Sequence, residues 1–183
     1  MIFQPIEITD KLGQSVILRN AEEDDAEDLI RYLKIISGET RFLVREPEEI
    51  TLTIEQEREF LRGKKESERE LMLIATINGK HIGNCSFMQI GMNKRYAHRC
   101  SIGIALYQEY CGRGIGRQML QAVLQKAGEA GYEQAELEVI AENERAISLY
   151  KQLGFSEYGV FPDNVKYKDG SYADAFWMMK KLC

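Results

Sequence analysis

Apolar residues recur along the chain in two rhythms. Val16, Ile17 and Leu18 lie in a short run, Ser15 to Arg19, whose β-propensity predicts the first strand. The spacing then becomes helical. Leu29, Ile30, Leu33 and Ile36 recur three and four apart within Ala21 to Ser37. Glu22, Glu23, Asp24 and Asp25 open that stretch, as suits a helix N-terminus; the same run would also attract a cationic substrate. Thr53 to Gly63 predicts a second helix, with Thr53 and Gln56 in capping-box positions. Glu70 to Ile77 and His81 to Ile90 predict strands, and Asn78-Gly79 between them is a strong hairpin signal. A third strand, Ala97 to Tyr107, makes this middle portion an antiparallel meander.

Beyond it, Ile115, Met119, Leu120, Val123, Leu124 and Ala127 form one helical stripe, ended by Gly128 and Gly131. Ala135 to Val139 predicts a strand. Glu144 to Leu153 predicts a short helix with Gly154 in the left-handed C-cap position. Phe155 to Val160 and Tyr172 to Met179 predict the last two strands. The order β, α, α, β, β, β, α, β, α, β, β implies an α/β layer fold with a mixed sheet.

Length and composition narrow the function classes. The 183 residues, 44% hydrophobic and 29% charged, predict one soluble globular domain spanning 1–183. A net charge of -5 provides no basic field, so no nucleic-acid partner is expected. Cys85, Cys100, Cys111 and Cys183 form no Cys-x-x-Cys pair, and only His81 and His98 could join them, so no metal site is expected. Scattered thiols, no signal-like start and no long apolar stretch predict a cytoplasmic protein without a membrane partner.

The sharpest local feature is Cys111-Gly112-Arg113-Gly114-Ile115-Gly116, set between a strand and a helix. Glycines let backbone amides approach a ligand, and the helix start adds unpaired donors and a positive dipole end. Phosphate is the usual occupant of such a place, with Arg113 and Arg117 available to add charge. A tight strand-to-helix turn needs glycine too. A Walker A loop would require Gly-Lys-Ser/Thr, but Gly116 precedes Arg117-Gln118. A dinucleotide fingerprint would require Gly-x-Gly-x-x-Gly; the spacing here differs, although Glu136 or Glu138 lies at the distance of a ribose-binding acid.

A second feature is Leu137-Glu138-Val139, followed by a helix carrying Ala146, Ile147 and Tyr150 on one face. A carboxylate on a strand and a phenol on the next helix can converge. Equally, Glu138 can be a solvated strand residue and Tyr150 a core aromatic.

From Cys100 to Gly159 the chain resembles the GNAT superfamily of N-acetyltransferases. The resemblance rests on Gly103-Ile104-Ala105-Leu106, Arg113-Gly114-Ile115-Gly116, Leu137-Glu138-Val139 and Asn143-x-x-Ala146-Ile147-x-Leu149-Tyr150-x-x-Leu153-Gly154-Phe155. It implies a mixed, mostly antiparallel central sheet with helices on both faces. It also implies that acetyl-coenzyme A is the cosubstrate and a primary amine the acceptor. The loop Cys111, Gly112, Arg113, Gly114, Ile115, Gly116 would hold the pyrophosphate by backbone amides. Main-chain groups of Ile104, Ala105 and Leu106 would pair with the pantetheine arm, Asn143 would contact the cofactor, and Tyr150 would protonate the leaving thiolate. Glu138 matches a glutamate used as a base in the branch that acetylates protein N-termini.

Cys111 stands where the family usually has Gln or Arg, so backbone amides rather than that side chain are expected to serve the phosphate. No His lies nearby in sequence to activate Cys111 as a nucleophile. The resemblance implies a small amine, an amino acid or a protein N-terminus as the acceptor. Asp174, Glu46, Glu48 or Glu49 could contact its ammonium or could equally be solvated surface residues, and Glu136 is an alternative base. The assembly is expected to be a monomer or homodimer. An acyl-coenzyme A sensor without turnover, and a nucleotide-binding protein, are the competing functions.

Overall fold

In a computed structural model describing residues 1–182, eight strands form one sheet in the order β1-β2-β3-β4-β5-β6-β8-β7. The strands are β1 (Ile6–Thr9), β2 (Ser15–Asn20), β3 (Leu71–Ile77), β4 (Lys80–Gln89), β5 (Arg99–Leu106), β6 (Gln134–Ile140), β7 (Ser156–Lys166) and β8 (Tyr172–Lys181). The helices are α1 (Ala26–Glu39), α2 (Ile54–Glu66), α3 (Ile115–Glu129) and α4 (Glu144–Gln152). Every neighbouring pair is antiparallel except β5 with β6. Cys183 lies outside the described residues.

The strand alternation divides the core. Leu71, Leu73, Cys85, Phe87, Ile102, Leu137 and Val139 face α3 and α4 with Met119, Leu120, Val123 and Tyr150. Met72, Ile74 and Tyr107 face α1 and α2 with Leu29, Tyr32, Ile36 and Leu61. Each fully buried Leu or Ile contributes about 1.5–3 kcal/mol from its removal from water. Helices therefore cover both faces, and α3 follows β5 after a short 3-10 turn, Gln108–Tyr110, and the glycine loop.

Local signals behave as their chemistry requires. Thr53 accepts from the Gln56 amide while Gln56 accepts from the Thr53 amide, closing the capping box of α2. Asn78 and Gly79 both take positive φ, 51° and 78°, as a two-residue hairpin turn needs. Gly154 ends α4 at φ 89°. The acidic run before α1 serves structure: Asp25 forks onto Arg19, Glu23 pairs with Arg62 and Glu22 with Lys65.

Two elements differ from the sequence expectation. The structure adds β1 before the predicted first strand; its alternation, Ile6-Glu7-Ile8-Thr9, spans only four residues, of which only Ile8 is even half-buried, so the signal is short and weak. The edge strand β7 also runs on to Lys166 rather than stopping at Val160. Pro162 and the left-handed Asp163 (φ 52°) interrupt the sequence pattern, but the β7–β8 register shifts between Phe161 and Val165 and pairing resumes. An edge strand tolerates proline because its outer amides need no ladder partner.

Candidate active site

The sheet opens between β5 and β6. They pair at only three positions, Arg99 with Gln134, Cys100 with Ala135 and Ser101 with Glu136. Beyond Glu136, β6 continues against β8 as far as Ile140 opposite Ala175, while β5 continues against β4. The Ile90 amide donates to the Arg99 carbonyl (3.3 Å) and the Tyr107 amide to the Ile82 carbonyl (3.1 Å), which turns the odd-numbered peptides of β5 toward β4. By alternation, the main-chain groups of Ile102, Ile104 and Leu106 face the opening. Those of Ala105 do not, and its carbonyl accepts a hydrogen bond of 2.7 Å from the buried Tyr32 hydroxyl. Ile104 and Leu106 thus present main-chain donors and acceptors to the opening.

The glycine loop lies at the end of β5. Gly112 and Gly114 have φ of 80° and 85°, a region that favours glycine. Nothing lies within 4 Å of where a Gly112 Cβ would stand, so this backbone faces open space. Gly114 is the N-cap of α3, and the first amides of Ile115, Gly116 and Arg117 have no partner within the helix. A Cβ on Gly116 would meet Leu106 at 3.4 Å and Ile104 at 3.5 Å, so this glycine lets the helix start sit closely on β5. A backbone cradle of this kind fits a pyrophosphate, and the adjacent opening fits an extended pantetheine arm.

The loop side chains are otherwise engaged. Arg113 donates to Gln14 Oε1 (3.0 Å), stacks on Tyr110 (4.7 Å) and lies 3.6 Å from the buried carboxylate of Asp10. Arg117 donates to Gln152 on α4. Cys111 is half-buried, and its thiol donates to the Tyr107 carbonyl at 3.7 Å, with neither a His nor an acid among its hydrogen-bond partners in the described residues. Asn143 caps α4: its Oδ1 accepts from the Ala146 amide (3.2 Å), which leaves Nδ2 to donate outward.

Tyr150 lies on the α3–α4 face with its ring against Phe155, at 5.8 Å between centroids. It is 8% exposed, and burial raises its phenol above the ordinary tyrosine value, so it holds its proton at neutral pH. Glu138 lies on the other face, opposite Trp177 in the β6–β8 pairing. Its Oε2 accepts from the Trp177 indole (2.9 Å) and its Oε1 from the Asn164 amide (2.8 Å), while the residue remains exposed. Two neutral donors fix the carboxylate's direction without neutralising it.

The alternative acids are spent elsewhere. Glu136 is buried in a forked ion pair with Arg99, whose bonds hold its carboxyl below the usual range against the cost of burial. Glu46 and Glu48 pair with Lys168 at 3.2 and 2.6 Å. Glu49 accepts from the Glu46 amide and Asp174 from the Asp163 amide. The segment 39–42 crosses the wide end of the opening. Glu39 accepts from the Gln108 amide beyond β5 (2.8 Å), and Phe42 packs on the cluster of Ile140, Ala173 and Ala175 at the ends of β6 and β8. Arg41 stacks on Tyr167 of the β7–β8 connection, 3.9 Å from the ring centre.

The sequence matches the acetyltransferase (GNAT) family over residues 33–155. The chain belongs to the GNAT acetyltransferase family. A crystal structure of a GNAT-family acetyltransferase from Streptococcus pneumoniae superposes with a TM-score of 0.87 at 28% identity, covering 91% of this chain and 99% of that one. The Salmonella typhimurium protein yncA, solved with acetyl-CoA as its cofactor, superposes at 0.81 with 18% identity, covering 92% and 94%. An uncharacterized N-acetyltransferase of Methanocaldococcus jannaschii is 25% identical over 151 residues, covering 80% of this chain and 63% of that protein. The chain thus spans less than two thirds of that relative, and 20% of an uncharacterized Mycobacterium leprae protein it also matches.

Several residues of this candidate site give no signal in the sequence. Tyr32, Asn164 and Trp177 reach it only through tertiary packing. Strand register would have placed Trp177 opposite Glu138, but the bulge in β7 hides Asn164 from any such count.

Proposed function

We propose that the chain is an acetyl-CoA-dependent N-acetyltransferase that moves the acetyl group directly to a primary amine within a ternary complex. The observation that carries this is the departure of β6 from β5 after three paired residues, beside a glycine loop that opens α3. The loop amides from Gly112 to Gly116 would hold the pyrophosphate, with Cys111 as a small neighbour. Ile104 and Leu106 would pair with the pantetheine arm, and Asn143 would donate from Nδ2. Ala105 contributes by holding its strand through Tyr32.

A thioester needs an unprotonated amine, and a primary ammonium has no lone pair with which to attack. Glu138, held by Trp177 and Asn164, takes that proton through a water on the acceptor side of the opening. When the tetrahedral intermediate collapses, the sulfur leaves with developing negative charge; its reference pKa is about 8.5 by analogy with cysteine. Tyr150 donates a hydrogen bond to that sulfur from the opposite face and then its proton. Carboxylate and phenol thus serve the two ends of one reaction from two faces of the sheet.

The acceptor is a small amine, an amino acid or a protein N-terminus. An Escherichia coli relative, 26% identical over 111 residues, is named L-amino acid N-acetyltransferase AaaT. We further place the activity in one domain over residues 1–183 and in the cytoplasm, consistent with the buried free thiols of Cys85 and Cys100. The test is thiol release from acetyl-CoA over a panel of amines and peptides, with the acetylated product identified by mass. Release that requires an amine supports the enzyme. Tight coenzyme A binding with no release on any acceptor supports a sensor instead.

A further inference from the structure

The arginine in the glycine loop is not free to serve a phosphate. Asp10 is 5% exposed, and its Oδ1 accepts from the Leu12 and Gln14 amides, each at 2.9 Å, which shapes the turn between β1 and β2. Its other oxygen, Oδ2, has no hydrogen bond among the described residues and has the Arg113 guanidinium 3.6 Å away as its countercharge. Withdrawing Arg113 toward a ligand would strand that carboxylate, which is costly for a buried charge. The bond from Arg113 to Gln14 holds the guanidinium to the same turn.

The turn in exchange brings its own cation to the loop. The Lys11 amide donates to the Arg113 carbonyl (2.9 Å), docking the turn on the loop, and Gln118 of α3 donates to the Thr9 carbonyl (3.1 Å). The Lys11 side chain runs along Gly114: its Cγ, Cε and Cδ lie 3.5, 3.6 and 3.9 Å from where a Gly114 Cβ would stand. Lys11 is exposed and makes no salt bridge among the described residues. Gly114 is the residue at which the amides of α3 begin.

We propose that Lys11, from the β1–β2 turn, is the cation that completes the pyrophosphate site, and that Arg113 is the structural charge that holds the turn in place. This rests on the coenzyme reading of the loop. A lysine is suited to the role, since its ammonium is a point charge on a flexible stem and can follow a diphosphate across the helix start. The lysine lies on a segment far from the glycine loop in sequence, so the site would be complete only once the β1–β2 hairpin is docked.

The test is calorimetric binding of coenzyme A, 3′-dephospho-coenzyme A and pantetheine to the unaltered protein and to Lys11→Ala and Lys11→Arg, with folding checked by circular dichroism. Lys11→Ala keeps the amide that docks the turn. It should weaken both nucleotide-bearing ligands about tenfold, as loss of a charge-assisted contact does. Pantetheine affinity should be unchanged, and Lys11→Arg should recover most of the loss. Equal affinity of Lys11→Ala and the parent for coenzyme A overturns the inference. So does a loss confined to coenzyme A, because Lys11 would then be serving the 3′-phosphate. If the unaltered protein binds no coenzyme A, it is the underlying reading of the loop that fails.

Discussion

The two sides of the β5–β6 opening are built differently. The proposed coenzyme side, from Ile104 to Gly116, is mostly backbone: two left-handed glycines, the first amides of α3, and strand groups left unpaired by the departure of β6. The proposed acceptor side is mostly side chain. Glu138 depends on Trp177 and Asn164, and the segment over the opening is tied down by Glu39, Arg41 and Phe42. A backbone site needs glycines at fixed spacing and tolerates varied neighbours, so Cys111 can stand in the loop without providing a contact to phosphate. A side-chain site can be rebuilt for another amine by changing few residues. The difference teaches that damage on the coenzyme side should act on every acceptor alike, whereas damage on the acceptor side should depend on the amine and on pH.

The largest effect is expected at Tyr150. Tyr150→Phe keeps the ring packed on Phe155 and removes only the proton donor, so turnover should fall by about 10²–10⁴-fold for every amine, with little change in coenzyme affinity. Equal losses across a panel of amines place Tyr150 with the coenzyme; losses that vary with the amine would break the comparison.

Glu138→Gln keeps an acceptor for Trp177 but removes the base. Turnover should fall by about 10²-fold or more near neutral pH. The deficit should shrink as pH rises through the amine's own pKa, because the free amine then forms without help. A pH–rate profile parallel to that of the parent enzyme at all pH values would remove Glu138 from proton transfer.

Gly114→Asp should act on binding. It puts a Cβ at φ 85° and a carboxylate where the diphosphate needs open amides. Coenzyme A affinity should fall at least about tenfold, or 1.4 kcal/mol, by calorimetry, equally with and without amine. The smallest effect is expected from Cys111→Ala. Its thiol hydrogen-bonds a backbone carbonyl and, among the described residues, no His or acid, so turnover should stay within about threefold of the parent, against the hundredfold or greater loss expected on removing a covalent nucleophile.

Much of the fold could be read from the chain because local chemistry and tertiary role agree. The capping box at Thr53, the Asn78-Gly79 turn and the Gly154 cap sit in the structure at the residues that signal them. The elements that escaped are those whose signal is not local. β1 is an exposed edge of only four residues, and β7 passes a proline that only an edge strand accommodates. In the site, the glycine spacing marks the loop, but nothing in the sequence says that Arg113 is bound to a buried Asp10 some hundred residues away. Likewise, Glu136 and Glu138 look equivalent as a sequence. Only the pairing of Glu136 with Arg99, and of Glu138 with two neutral donors, separates a structural carboxylate from an available one.

The central claim is direct transfer between two substrates bound together across this opening. Initial rates measured against acetyl-CoA at several fixed amine concentrations test it. Reciprocal plots that intersect, with no acetyl group on the protein when the amine is omitted, are the predicted result. Parallel lines, with acetylated Cys111 found by mass spectrometry, would contradict it.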